Sequence, residues 1–247
     1  MKIRCSALLF ILVSLLITFG CAHYKTIDGF KALEWFEMGR QASINSRLDI
    51  ALDAFNKAIE LDPKIAKIYF NRGCTYYNLG NYNQAIADYN KVIELNPEDT
   101  EIYIYHGRAY YNLGNYNQAI ADYNKVIGFY PEYSEAYVSR GNAYESLGNY
   151  KQAMTDYNKV IELDPGNTHA YVNRGDVYFK LGNHNLAIAD YDKAIELNAE
   201  FALAYYNRGL AYNAFGNRNQ AVADWKTAAR LGLKEAQDYL KQQGIAL

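Results

Sequence analysis

The sequence predicts an all-α solenoid of stacked antiparallel helix hairpins, and three sets of residues carry that expectation. The four prolines of the chain, Pro63, Pro97, Pro131 and Pro165, each stand 34 residues from the next. Gly39, Gly73, Gly107, Gly141, Gly175 and Gly209 keep the same interval, as do Ala51, Ala85, Ala119, Ala153, Ala187 and Ala221. Three residue types in one phase mark a single supersecondary unit repeated along the chain. A count of 25 Tyr against 10 Phe and 2 Trp is the kind of bias repetition produces, and half of the residues are apolar, enough for a packed core.

The segment from Tyr69 to Pro97, YFNRGCTYYNLGNYNQAIADYNKVIELNP, shows why each unit is two helices. Tyr69, Tyr76 and Leu79 fall at helical spacing, and Gly80 then supplies the left-handed residue that ends a helix. Asn81 follows as an N-cap with Gln84 three residues on, a pairing repeated at Asn115 with Gln118, Asn149 with Gln152 and Asn217 with Gln220. The second helix carries Ala85, Ile86, Tyr89, Val92 and Ile93 on one face until Pro97 stops it. Thr100, Ser134 and Thr168 stand where the N-cap of the next first helix belongs. One hairpin cannot bury its apolar face alone, so the units must stack.

These columns resemble those of the tetratricopeptide repeat, whose pattern of large residue, Gly, Tyr, Ala, aromatic, small residue and Pro reads here as Tyr69, Gly73, Tyr76, Ala85, Tyr89, Val92 and Pro97. The resemblance covers six units, 32–65, 66–99, 100–133, 134–167, 168–201 and 202–235, and implies a right-handed superhelix. The first unit departs from the pattern with Ala42 for the column Tyr and Ser46 for the turn Gly; the fifth and sixth hold Ala199 and Leu233 in place of Pro. Residues 234–247 follow as a capping helix and tail, with Ala236, Tyr239 and Leu240 on one side. Arg72 with Asp88, Arg140 with Asp156, Arg174 with Asp190 and Arg208 with Asp224 recur in one phase, so a structural tie between the two helices of each hairpin is expected; His106 with Asp122 is the exception.

In this family the first helices line a concave groove that takes peptides. By that resemblance the partner-binding residues are Asn71, Tyr77, Tyr105, Arg108, Tyr111, Asn142, Asn173, Asp176, Asn207 and Asn213. Asn71, Asn173 and Asn207 share one place in their units, where a carboxamide offers both donor and acceptor to a peptide group. They are expected to project into open space and pack against little. The family's clamp for a C-terminal carboxylate is absent: beside Asn71 the matching places hold Phe36, Arg40, Glu101 and Tyr105.

Residues 1–21 have the layout of an export signal, with Lys2 and Arg4 ahead of an uncharged run that ends in Gly20, Cys21 and Ala22. The Gly-Cys junction resembles a lipoprotein processing site that would acylate Cys21, although Thr18 and Phe19 depart from its pattern. Cleavage near Ala22 and an uncleaved anchor are the other readings. All three put the rest of the chain outside the cytoplasm, on the outer membrane or periplasmic face of a bacterial envelope or secreted. Residues 22–31 read as a short linker.

The 25 basic and 27 acidic side chains give a formal charge of −2 with no basic cluster, which argues against a nucleic-acid partner. His23, His106, His169 and His184 lack partners at metal-ligand spacing, and no phosphate loop or nucleophile motif occurs, so neither catalysis, a cofactor nor a small-molecule substrate is expected. The expected function is a non-catalytic scaffold, membrane-tethered or secreted, that binds an extended peptide or protein. The alternative is a self-associating or assembly component of an envelope complex, by analogy with pilotin lipoproteins.

Overall fold

The computed structural model describes residues 28–246, all helices and turns with no strand among them. The export segment, Cys21 and residues 22–27 of the expected linker lie outside the described residues; residues 28–31 of that linker are already helical. The chain divides at Leu113 and Gly114 into two compact units. The first holds α1 (28–44), α2 (Leu48–Leu61), α3 (Ala66–Asn78), α4 (Tyr82–Leu95) and α5 (Ile102–Asn112). The second holds α6 (Tyr116–Phe129), α7 (Ser134–Ser146), α8 (Tyr150–Leu163), α9 (Thr168–Lys180), α10 (His184–Leu197), α11 (Ala202–Ala214), α12 (Arg218–Arg230) and α13 (Lys234–Gln242).

From α2 to α5 and again from α7 to α13 each helix packs on the next, and α6 packs on α7, so both units are α-solenoids of helix hairpins. First helices also meet across levels: α3 touches α5, α7 touches α9 and α9 touches α11. The column residues explain the close approach. Ala85, Ala119, Ala153, Ala187 and Ala221 are wholly buried, and so are or nearly are the aromatic residues Phe55, Tyr89, Tyr123, Tyr157, Tyr191 and Trp225. Within the units the column glycines Gly39, Gly73, Gly141, Gly175 and Gly209 each make room for one of those rings. A Cβ on Gly73, Gly175 or Gly209 would stand within 2.7 Å of Tyr89, Tyr191 or Trp225.

First helices end as the glycine spacing predicts. Gly80, Gly148, Gly182 and Gly216 all have φ between 75° and 86°. At the first of these, Gly80 N–H donates to Tyr77 C=O and Asn81 N–H to Tyr76 C=O, both at 2.9 Å, the paired bonds of a Schellman turn. Ser46 makes the corresponding turn with φ 57°, a conformation that costs a residue with a Cβ.

Helix starts differ from the expectation. Asn81, Asn115 and Asn149 precede α4, α6 and α8, yet none caps the helix with its side chain. Their ψ angles of 61° to 64° fall short of the extended region that swings an N-cap side chain over the first turn. Only Asn217 among the four reaches its target, Gln220 N–H, at 3.4 Å. Ser134 and Thr168 are the first residues of α7 and α9 rather than their caps, because a turn closed by Tyr133 on Tyr130 and by Asn167 on Asp164 brings the chain into helix one residue earlier. Asn167 is the cap, its Oδ1 accepting from Ala170 N–H at 3.1 Å. Helix α5 begins at Ile102, after Glu101.

The recurrent Arg–Asp pairs tie three helices where two were expected. Arg174 donates through Nε and Nη2 to both carboxylate oxygens of Asp190 at 2.8 and 2.6 Å, and through Nη1 to Asn158 on the preceding second helix at 2.6 Å. Arg72 does the same to Asp88 and Asn56, and Arg140 to Asp156 and Asn124. Arg208 binds Asp224 and replaces the amide contact by an ion pair with Asp192. Two Tyr rings of the same first helix flank Arg72, Arg140 and Arg208, as Tyr69 and Tyr76 flank Arg72, and Tyr171 lies under Arg174.

At the C-terminal end α13 lays Ala236 and Leu240 against the core around Trp225, with the Tyr239 ring 4.5 Å from the indole. Among the described residues no helix is long and apolar enough to cross a membrane.

Candidate functional site

The first helices carry the expected groove residues, and most of these are engaged with the protein itself. In the first unit Asn71 turns its Nδ2 back onto Lys67 C=O of its own helix at 2.8 Å. Tyr77 on α3 accepts from Asn112 on α5 at 2.6 Å, a partner the sequence reading did not single out. Tyr105 meets Phe70 edge-on at 4.8 Å, and the two rings with Ile65, Val92 and Ile102 line an open cleft of about 410 Å³. Arg108 and Tyr111 lie half-buried on α5. The Cys74 thiol accepts from the Tyr89 hydroxyl at 3.5 Å, and burial pushes its pKa up, away from thiolate chemistry.

The second unit shows a polar ladder of two bonded clusters at successive levels. Asn142 Oδ1 accepts from Asn173 Nδ2 at 3.1 Å, one level on. The Tyr157 hydroxyl lies 2.8 Å from both Asn142 Oδ1 and Glu145 Oε2 and shares its single proton between them. Glu145 pairs through Oε1 with Lys180 at 2.6 Å. One level further Asp176 Oδ1 accepts from Tyr191 at 2.7 Å and from Asn207 Nδ2 at 2.8 Å. Asn213 stands apart, exposed at the end of α11 and bound to Arg218 at 3.0 Å.

Asn173 and Asn207 therefore do not project into empty space as expected. Half-buried amides find partners wherever geometry allows, and the 34-residue period places each beside a polar residue of the level before it. Burial raises the Asp176 carboxyl to about 6; Glu145 adds to that shift, while the donors Tyr191 and Asn207 and the cation Lys180 oppose it. Lys180 and the hydroxyls of Tyr157 and Tyr191 were missed as members of this surface. The hydroxyls had a signal: the aromatic column is Tyr through its middle and Phe55 and Trp225 at its ends, although packing alone would be met by any ring.

A tetratricopeptide repeat model matches residues 66–99, and a related TPR repeat model matches 45–80, 107–148, 141–182 and 175–216. The chain is similar to the crystal structure of MamA, with 31% identity over 67% of this chain and 96% of that one and a TM-score of 0.59. It is also similar to a tetratricopeptide repeat protein from Parabacteroides merdae, with 27% identity over 85% and 83% of the two chains and a TM-score of 0.68. YrrB, described as a TPR protein with an unusual peptide-binding site, shares the fold at 24% identity, 77% and 100% coverage and a TM-score of 0.56. Comparison with curated proteins gives no match. With the repeat model matching more than half of its length and the column residues packed as that repeat requires, the chain belongs to the tetratricopeptide repeat family.

Proposed function

We propose that this protein is a non-catalytic interaction scaffold that binds an extended peptide segment along the shared face of α7, α9 and α11. The observation that carries this reading is the ladder of Asn142, Asn173, Asp176 and Asn207. It fixes amide and carboxylate groups at successive levels before any partner arrives, so little side-chain ordering is left to be lost on binding. Tethering to a bacterial envelope through an acylated Cys21 is part of the proposal and rests on residues 1–22 alone. Mass spectrometry of the membrane fraction decides it, and a mature chain beginning at His23 or an intact Met1 would overturn it.

The groove is tested by recovering the protein from its own membranes, identifying what accompanies it, and measuring that partner's affinity for an Asn173→Ala, Lys180→Ala double variant. Both changes fall outside the packed columns, but Asn173 is bonded to Asn142 and Lys180 attends a largely buried Glu145, so stability should fall by about 1 to 3 kcal/mol and affinity is compared where both proteins are fully folded. The expected result is at least about a tenfold loss of affinity, equivalent to ~1.4 kcal/mol; unchanged binding would remove the groove from the mechanism. A second reading, a self-associating envelope component, is favoured by the exposed aromatic turn of Phe129, Tyr130 and Tyr133, with Phe129 65% accessible. Analytical ultracentrifugation of Phe129→Ser against the unchanged protein separates the two, since only self-association depends on that turn.

A further inference from the structure

Asp176 is the one acid at its place among the levels of the second unit. Asn142 and Leu210 hold the equivalent positions on α7 and α11, and in the first unit Cys74 and Arg108 do. The hydroxyl of the neighbouring ring finds an acceptor in either case: Tyr157 uses the neutral amide of Asn142, and Tyr89 the thiol of Cys74. The stack thus needs no carboxylate at this position, although Tyr157 also reaches Glu145, a turn along α7 and paired with Lys180; placing a carboxylate in a half-buried position is unfavourable unless a cation attends it.

No cation is bonded to it. The bonds to Asp176 come from Tyr191 on α10 and Asn207 on α11, both neutral, and both fall on Oδ1. Lys180, one turn along α9, is drawn to Glu145 of α7 at 2.6 Å. Around Asp176 the charged groups are therefore Glu145 from α7 and Lys180, which are paired with each other and together carry no net charge, and Asp176 itself, whose Oδ2 has no hydrogen bond.

We propose that Asp176 is the specificity-determining subsite of this face and takes the cationic side chain, Lys or Arg, of a bound peptide on its Oδ2. The proposal deepens the groove reading and rests on it. A cation there would complete the coordination of the carboxylate while Tyr191 and Asn207 hold its other oxygen in place, and a peptide with a neutral residue would leave the charge uncompensated. The raised pKa of Asp176 agrees with an unpaired, desolvated carboxylate.

The test uses blocked pentapeptides, Gly-Ala-Lys-Ala-Gly and Gly-Ala-Gln-Ala-Gly, titrated into the folded protein and into Asp176→Asn, with NMR of the Asn207 side-chain amide and the Asp176 carboxyl carbon. The Asn replacement keeps an acceptor for Tyr191 and Asn207, so the variant retains its fold while losing the charge. The expected result is that the Lys peptide binds at least about tenfold more tightly than the Gln peptide, shifts the carboxyl titration below its value in the free protein, and loses its advantage on Asp176→Asn. Equal binding of the two peptides, with shifts on Asn142 and Asn207, overturns the cation subsite and leaves the groove standing. If neither peptide perturbs this face the subsite is overturned as well, and the groove is then judged by the Asn173→Ala, Lys180→Ala measurement alone.

Discussion

The ring of Tyr157 occupies the space that a methyl group on Gly141 would need, with a Cβ there standing 2.6 Å from Tyr157 Cε1. The ring cannot withdraw freely, because its hydroxyl is held between Asn142 and Glu145. Gly141→Ala should therefore destabilise by roughly 1 to 3 kcal/mol despite the better helix propensity of Ala. Chemical denaturation checks this, and Tyr157→Leu in the same chain should recover part of the loss. A neutral Gly141→Ala would mean the ring has room to move.

Arg174 and Lys193 both form ion pairs, and their losses should differ. Arg174 binds a largely buried Asp190 with two hydrogen bonds and reaches a third helix, whereas Lys193 and Glu196 meet at 2.9 Å on the surface. Arg174→Ala leaves a buried charge unpaired and should cost about 3 kcal/mol or more. Lys193→Ala should cost less than about 0.5 kcal/mol. Thermal unfolding of the two variants side by side makes the comparison.

The carboxyl of Asp176 makes stability depend on pH in a definite direction. Its folded pKa of about 6 lies above the ordinary aspartate value of 3.8, so the folded state holds the proton more tightly. Between about pH 4 and pH 6 the unfolded chain has lost that proton and the folded one has not, and stability falls as pH rises through this window. The full loss, on the order of 2 to 3 kcal/mol, is in place above pH 6. Asp176→Asn should flatten this part of the profile. Asn207→Ala, which strips a donor from the same carboxylate, should cost about 1 to 3 kcal/mol at pH 7 and less at pH 4. A profile identical in Asp176→Asn and the unchanged protein would reject the assignment.

Two turns can be improved. Asn198, with φ −145° and ψ 96°, already has the extended backbone required before a proline, and α10 stops at Leu197 without one. Ala199→Pro should add roughly 0.4 to 1 kcal/mol by restricting the unfolded chain. Ser46→Gly should add about 0.5 to 1 kcal/mol by relieving the positive φ. Equilibrium denaturation of each single variant measures both, and a loss of stability in either would show that the residue makes contacts its backbone angles do not reveal.

What was legible in the sequence follows from which forces repeat. Column glycines, alanines and aromatics respond to packing that is the same at every level, so period and spacing were enough to place them. Helix caps were read less well: the Gly–Asn pair looks like a stop followed by a start, yet the Schellman turn engages the Asn backbone and leaves its side chain short of the next helix. The groove was legible as positions and not as contacts. Asn207 and Asp176 are 31 residues apart, and only the angular offset between successive hairpins brings their side chains together. The column aromatic reads as core at Tyr89, while at Tyr191 of the same column the hydroxyl at the far edge of the ring reaches the polar face of the first helices.

The hydrogen bonds that join helices here have a further consequence for how the protein forms. Asn112 to Tyr77 and Lys180 to Glu145, which reach across levels among the described residues, close only 35 residues of chain each. Low contact order of this kind places little loop-closure entropy ahead of the first stabilising contacts, so folding is fast and can begin at more than one level. A chain that emerges gradually, from a ribosome or through a translocation pore, can complete one hairpin and dock it on the last before the next has appeared. The same locality lets a whole 34-residue unit be gained or lost in register, changing the length of the face the first helices present without redesigning any contact within it.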